Sequence, residues 1–271
     1  MRRSSRQPTI EQMESRELMT VFQVTSGANA GPGTLRAAIN MANQSPGVDT
    51  IQFDGFQNPD SVTISTTSPL PAITGRVVID GYTAGGSARN TSTDPAVNNA
   101  KLGVRIVSTA GSSILTINPR GGGSQVRGVA FVNKGAVAVG VTINQANFVT
   151  LDGNAFQAEG QSRLVAAVRI VDGEHNTIGG DVAADPALQN VMSGYEVGVE
   201  MVGPSRHNAV VGNRIGGETY PSRAPLQVNG VWLRAAASNN TIVNNLFYKN
   251  RVAIRAESAG NVIDGNTIVP A

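Results

Sequence analysis

The chain has 271 residues, of which 40% are hydrophobic, 15% charged and 4% aromatic, with 31 glycines, no cysteine and a formal net charge of +2. That is enough apolar material for a sizeable core, in a β- and turn-rich rather than helical composition. It excludes a disulfide framework and a thiolate metal site, and no long basic stripe points to nucleic acid.

In chain order, Arg2, Arg3 and Arg6 open a basic tail, expected to be disordered over residues 1–20. It is not an ordinary signal peptide, because Gln7-Pro8-Thr9-Ile10-Glu11-Gln12 follows where an apolar run is required. Nor does the sequence contain a transmembrane span. Gly31-Pro32-Gly33 is a turn, and Thr34 is placed to cap a short helix. Its apolar stripe is Leu35, Ala38, Ile39 and Ala42, and it runs to about Asn43. Alternating strands are predicted at Thr50–Asp54, Val62–Ile64 and Val77–Ile79. Residues 21–110 are read as an N-terminal cap with the first coils, and 111–271 as regular coils.

The regular part is a repeat. Leu115-Thr116-Ile117, Val141-Thr142-Ile143, Val168-Arg169-Ile170, Val199-Glu200-Met201, Val231-Trp232-Leu233 and Ile254-Arg255-Ala256 recur 23 to 32 residues apart. Each is followed by a second signature ending 12 to 14 residues on, at Val129, Asn154, Asp181, Asn213, Asn245 and Asn266. An apolar residue lies two places later, at Phe131, Phe156, Ala183, Ile215, Phe247 and Ile268. So variable a period suits a β-helix, whose loops swell without disturbing its strands. The expected fold is all-β: a right-handed parallel β-helix with a short N-terminal capping helix. Asn176, Asn208, Asn240 and Asn261 precede the inward Ile or Val by two residues and are expected to form a structural ladder along the stack. Insertions at Ala158 to Arg163, Asp181 to Gln189 and Gly216 to Leu226 are expected mainly on one side.

Two segments carry resemblances. Ile10 to Met19 is similar to the LEPR-x-L-L-type element at the start of bacterial exported proteins, and Gly33-Thr34-Leu35-Arg36-Ala37-Ala38-Ile39, followed by Asn43, Gly47, Asp49-Thr50-Ile51 and Phe53, resembles the CSLREA-type leader of bacterial surface β-helix proteins. These resemblances imply export, to the cell surface or beyond, and a helix that covers one end of the β-helix. At the other end no comparable cap follows Ile268, so that end is expected to continue into further chain or to meet a partner.

Candidate site residues lie on the outward face of the repeated strand. Thr142, Arg169, Glu200, Trp232 and Arg255 form one column, with Asn144, Arg234 and Glu257 beside it. β-Helix polysaccharide lyases and glycoside hydrolases bind sugar chains along such a face. Trp232 offers a ring for stacking, and Arg169, Arg234 and Arg255 offer guanidinium groups for uronate carboxylates, with Glu200 among them. The competing reading is a solvated sheet face with cross-strand charge pairs. Catalysis has weak candidates in Glu200, Arg169 and Glu257, since a hydrolase needs two carboxyl groups suitably spaced. Asp152, Asp172, Asp181 and Asp264 are read as falling in different columns, and no polygalacturonase-like or pectate-lyase-like set is present. Calcium has no supporting motif. Glu174-His175 and Arg206-His207 fall in successive coils, so the two histidines are expected near each other as solvated loop residues, and no metal site is assigned. The expected role is a non-catalytic exported module presenting a rigid face to glycans or surface proteins, with an acidic-polysaccharide lyase or hydrolase and a structural spacer as alternatives.

Overall fold

The computed structural model describes residues 19–54, 56, 62–135, 138–159, 164–217 and 228–270. The strands stack into three parallel sheets that wrap one core, a right-handed parallel β-helix. Among the described residues, the first sheet has nine strands, from Val21–Val24 to Val262–Asp264. Among the same residues the second has eight, from Val62–Thr66 to Thr267–Val269, and the third six, from Leu115–Ile117 to Val252–Ala256.

Pairing follows the sequence columns residue for residue. Leu115, Val141, Val168, Val199, Val231 and Ile254 are successive partners in the third sheet. Val126, Leu151, Ile178, Val210, Ile242 and Ile263 do the same in the first. Alternate residues therefore point inward, and Phe131, Phe156, Met192, Ile215 and Phe247 stack as fully buried members of the second sheet. Phe131 and Phe156 lie ring on ring at 5.2 Å. One coil departs from expectation: Asp181 and Ala183 do not hold the asparagine and apolar places. The chain leaves after Gly179, loops through a 3-10 turn at Pro186–Leu188, and returns so that Asn190 and Met192 fill those columns. Ladder geometry selects a residue able to donate and accept along the stack, which an asparagine does and an ionised aspartate does not.

The helix is Leu35–Ala42, with the Thr34 side chain accepting the Ala37 N–H. Its stripe of Leu35, Ala38, Ile39 and Ala42 is buried, packed on Val21–Val24 and Asp49–Phe53. It thus covers the N-terminal end of the core. At the other end Val262, Ile263 and Ile268 are exposed, because no further coil covers them among the described residues.

Two ladders fix the corners. Between the third and first sheets, Asn176, Asn208 and Asn240 each donate Nδ2–H to the Oδ1 of the next asparagine, ending on Asn261, at 2.9, 3.0 and 3.2 Å. Between the first and second sheets, Asn154, Asn190, Asn213, Asn245 and Asn266 repeat the device. The insertions are not confined to one side. Asp181 to Gln189 lies between the first and second sheets, where Gln189 and Asn190 meet residues of other coils. Residues 158–163 and 216–226 join strands of the second sheet to strands of the third, and most of both lies outside the described residues.

Candidate functional site

The outward column of the third sheet is brought together as expected, and its groups satisfy one another. Glu200 is 1% exposed, which an isolated carboxylate would not tolerate. Arg169 Nε reaches its Oε2 at 2.7 Å, while Arg234 places Nε and Nη2 on its Oε1 at 2.9 and 2.6 Å. Arg234 also lies 3.1 Å from the Trp232 ring centre, and Arg255, from the following coil, lies 4.3 Å from it. Trp232 Nε1 donates to Glu257, which also pairs with Arg255 at 2.7 Å. The indole is therefore flanked by one guanidinium from its own coil and one from the next, and each carboxylate is engaged by arginine. Thr142 and Asn144 sit at the quieter end, bonded to Ser113 and Asn118.

On the first sheet, Asp80, Arg127 and Asp152 occupy one column in successive coils. Arg127 Nη2 meets Asp80 Oδ2 at 2.6 Å, and Gln125 donates to Asp152 at 2.6 Å. Burial pushes the Asp152 carboxyl above the usual carboxylate range, against the Gln125 hydrogen bond and the charge of Arg127. The same burial, with Asp152 nearby, pushes the Tyr82 hydroxyl up to about 12, and that hydroxyl donates to the Gly153 carbonyl. Asp152 and Asp264 fall in one column, contrary to the sequence reading, through the chain of partners from Arg127 to Val243. Asp172 is a left-handed corner residue at φ 51 and Asp181 an exposed loop residue, so neither joins them.

The corner between the third and first sheets carries the other cluster. One position before the asparagine ladder, the successive coils present Gly123, Phe148, His175, His207 and Asn239, all at positive φ. Glycine and asparagine suit that conformation, whereas histidine and above all phenylalanine do not. The Phe148 and His175 rings stack at 5.1 Å, as do His175 and His207. One ligand atom from each of Glu174, His175 and His207 falls within 4.8 Å of the others, and both histidines are exposed. Glu174 Oε1 is held by Arg206 at 2.7 Å, and this hydrogen bond keeps the carboxyl below its ordinary range. His175 and His207 do not share a strand or helix, so no run of neighbouring ligands marks them in the sequence. In stacked coils, residues a full coil apart are nearest neighbours, about 4.8 Å away. Phe148 was not singled out from the sequence; the signal for it is its place in the column that His175 and His207 define.

No curated protein sequence matches the chain. Among solved structures it is similar to the cedar-pollen allergen jun a 1 (12% identity over 93% of this chain and 81% of that one, TM-score 0.38). It is also similar to an alginate lyase from Paenibacillus sp. str. FPU-7 (13% identity over 93% and 98%, TM-score 0.39). The Ile10 to Met19 element, apart from Met19, lies outside the described residues. Residues 43–270 match the family described as periplasmic copper-binding protein (NosD), and the chain belongs to that family.

Proposed function

We propose that the chain is a non-catalytic, exported β-helix module that binds a copper ion at the corner formed by Glu174, His175 and His207. The observation that carries this reading is the convergence of two imidazoles and one carboxylate from adjacent coils within 4.8 Å on an exposed corner. Imidazole and carboxylate donors suit copper(II). Metal–nitrogen bonds of about 2.0 Å require donors no more than about 4 Å apart, so the exposed rings close the remaining gap by side-chain rotation. Glu174 then exchanges Arg206 for the ion. The description of the family as periplasmic and copper-binding supports both export and the choice of metal. A non-catalytic role is supported by Glu200 and Glu257, whose carboxylates are committed to Arg169, Arg234 and Arg255 rather than free to move protons.

Copper(II) titration of the full chain, followed by calorimetry and electron paramagnetic resonance, tests the proposal. His175→Ala and His207→Ala are each expected to weaken binding at least about tenfold, and Arg206→Gln to strengthen it by releasing Glu174. Unchanged affinity and spectrum in the double histidine variant would refute the site. Robust turnover of an acidic polysaccharide, lost in Glu200→Gln, would refute the non-catalytic part.

A further inference from the structure

The ring stack at the histidine corner is open at one end. His207 and Phe148 flank His175, so one face of Phe148 is covered while the other looks toward the preceding coil. There the column holds Gly123, with no side chain, at φ +76. One coil further back it holds Arg76, whose Nε donates to the Gly123 carbonyl at 3.0 Å. Among the described residues no carboxylate pairs with Arg76, and it is exposed. A cleft of ≈ 480 Å³ opens at this place, lined by Arg76, Pro119, Gly122, Gly123, Asn147 and Phe148. Phe148 is 64% exposed and sits at φ 60, a conformation that disfavours a bulky side chain. An apolar ring held in water at a strained corner, beside a guanidinium that bonds only a backbone carbonyl among the described residues, is a combination that stability alone does not select.

We propose that this cleft binds an acidic pyranose, a uronate unit of a polysaccharide, with the sugar ring on the free face of Phe148 and its carboxylate on Arg76. The C–H face of a pyranose lies against an aromatic face in the way the next ring of the stack would. Guanidinium is the side chain best shaped for a carboxylate. Asn147 uses its Oδ1 to accept the Glu174 N–H at 2.8 Å, which leaves its amino group to donate to a hydroxyl. Gly123 adds no side chain of its own, and the Arg76 side chain lies over it, with Nε 2.9 Å from where a Cβ would stand, so the guanidinium forms part of the cleft wall facing the sugar. The site shares no donor with the copper proposal, since neither Phe148 nor Arg76 supplies one to that cluster, although Phe148 rests on the His175 ring. It also differs from the Trp232 face, whose ring is already flanked by guanidinium groups.

The test uses the full chain with oligogalacturonate, a neutral cello-oligosaccharide of equal length, and benzoate, each followed by saturation-transfer NMR and calorimetry. Oligogalacturonate is expected to bind and to lose at least about tenfold in affinity in Phe148→Ala and in Arg76→Gln. The neutral oligosaccharide is expected to bind at least tenfold more weakly than the acidic one, and benzoate to fail to displace it. Phe148→Asn, which suits the left-handed corner, is expected to keep or raise the unfolding midpoint while losing the sugar. Absence of oligogalacturonate binding, binding that survives both variants, equal binding of the neutral sugar, or displacement by benzoate would each overturn the proposal. So would a large loss of stability in Phe148→Asn, because Phe148 would then be a packing residue.

Discussion

Asn208→Ala removes the middle of the ladder between the third and first sheets, and its cost follows from four bonds. Asn208 Nδ2 donates to the Gly173 carbonyl at 2.9 Å and to Asn240 Oδ1 at 3.0 Å. Its Oδ1 accepts from the Asn176 backbone N–H at 3.0 Å and from Asn176 Nδ2 at 2.9 Å. After truncation, Asn176 Nδ2 keeps the Ala146 carbonyl and Asn240 Oδ1 keeps the Asn208 backbone N–H. The Asn176 N–H loses its partner at a corner where both asparagines are buried, while the Gly173 carbonyl keeps the Arg206 backbone N–H. At about 1–3 kcal/mol for the one unsatisfied buried N–H and about 1 kcal/mol for the other bonds lost, the expected loss is about 2–4 kcal/mol. Asn261→Ala is the control, because the terminal rung is partly exposed and water replaces its bonds, for an expected loss of about 1 kcal/mol. Urea unfolding followed by far-UV circular dichroism measures both. Coils stack with nearest neighbours, so hydrogen exchange should show the Asn208→Ala effect centred on Asn176 to Asn208. Equal and small losses in the two variants would refute the view that the ladder, rather than the apolar column, holds this corner.

Three further outcomes follow from buried charge and from a crowded left-handed glycine. Asp152 has a raised pKa, so its burial lowers stability as pH rises from the ordinary carboxylate value through the folded one; Asp152→Asn should raise the urea midpoint at pH 8 and little at pH 4, and a pH-independent effect would contradict the assignment. Glu200→Gln leaves Arg169 and Arg234 facing a neutral group, but both guanidinium groups reach solvent, so the loss should be about 2 kcal/mol rather than the roughly 3–5 kcal/mol of a fully buried pair, measured by denaturation at low and high salt. Gly179→Ala should be among the most damaging small substitutions, since at φ +88 an added Cβ would run into the Val211 carbonyl; a wild-type unfolding midpoint would show that the corner yields.

Much of the fold was legible because a parallel β-helix turns sequence columns directly into strand partners. Every apolar pair from Leu115 to Ile254 and from Val126 to Ile263 is a registered neighbour, and the Asn176 to Asn261 ladder forms as its spacing implied. The coil through Asp181 was misread because Gly-Gly-Asp imitates the Gly-Asn corner, while the true corner residue, Asn190, stands behind an excursion. The site was legible as adjacency but not as chemistry. The column of Arg169, Glu200, Trp232 and Arg255 was visible, whereas the folding back of Arg234 onto both Glu200 and Trp232 depends on side-chain conformation. His175 and His207 were placed near each other from their coils. Phe148 went unnoticed because a phenylalanine before Val149-Thr150-Leu151 resembles the start of a strand, and its positive φ appears only in the structure.

The excursion between Gly179 and Asn190 has an engineering meaning. The chain departs from the wall, makes its 3-10 turn, and re-enters with Asn190 taking up Asn213 on one side while Asn154 takes up Asn190 on the other. What the stack requires of the returning chain at this corner is an amide and an inward apolar residue two places later, not a fixed count of residues between. A foreign peptide spliced between Asp181 and Asp185 would be displayed on the outside of a rod whose rungs keep their order, so this corner is a natural port for grafted epitopes or affinity tags.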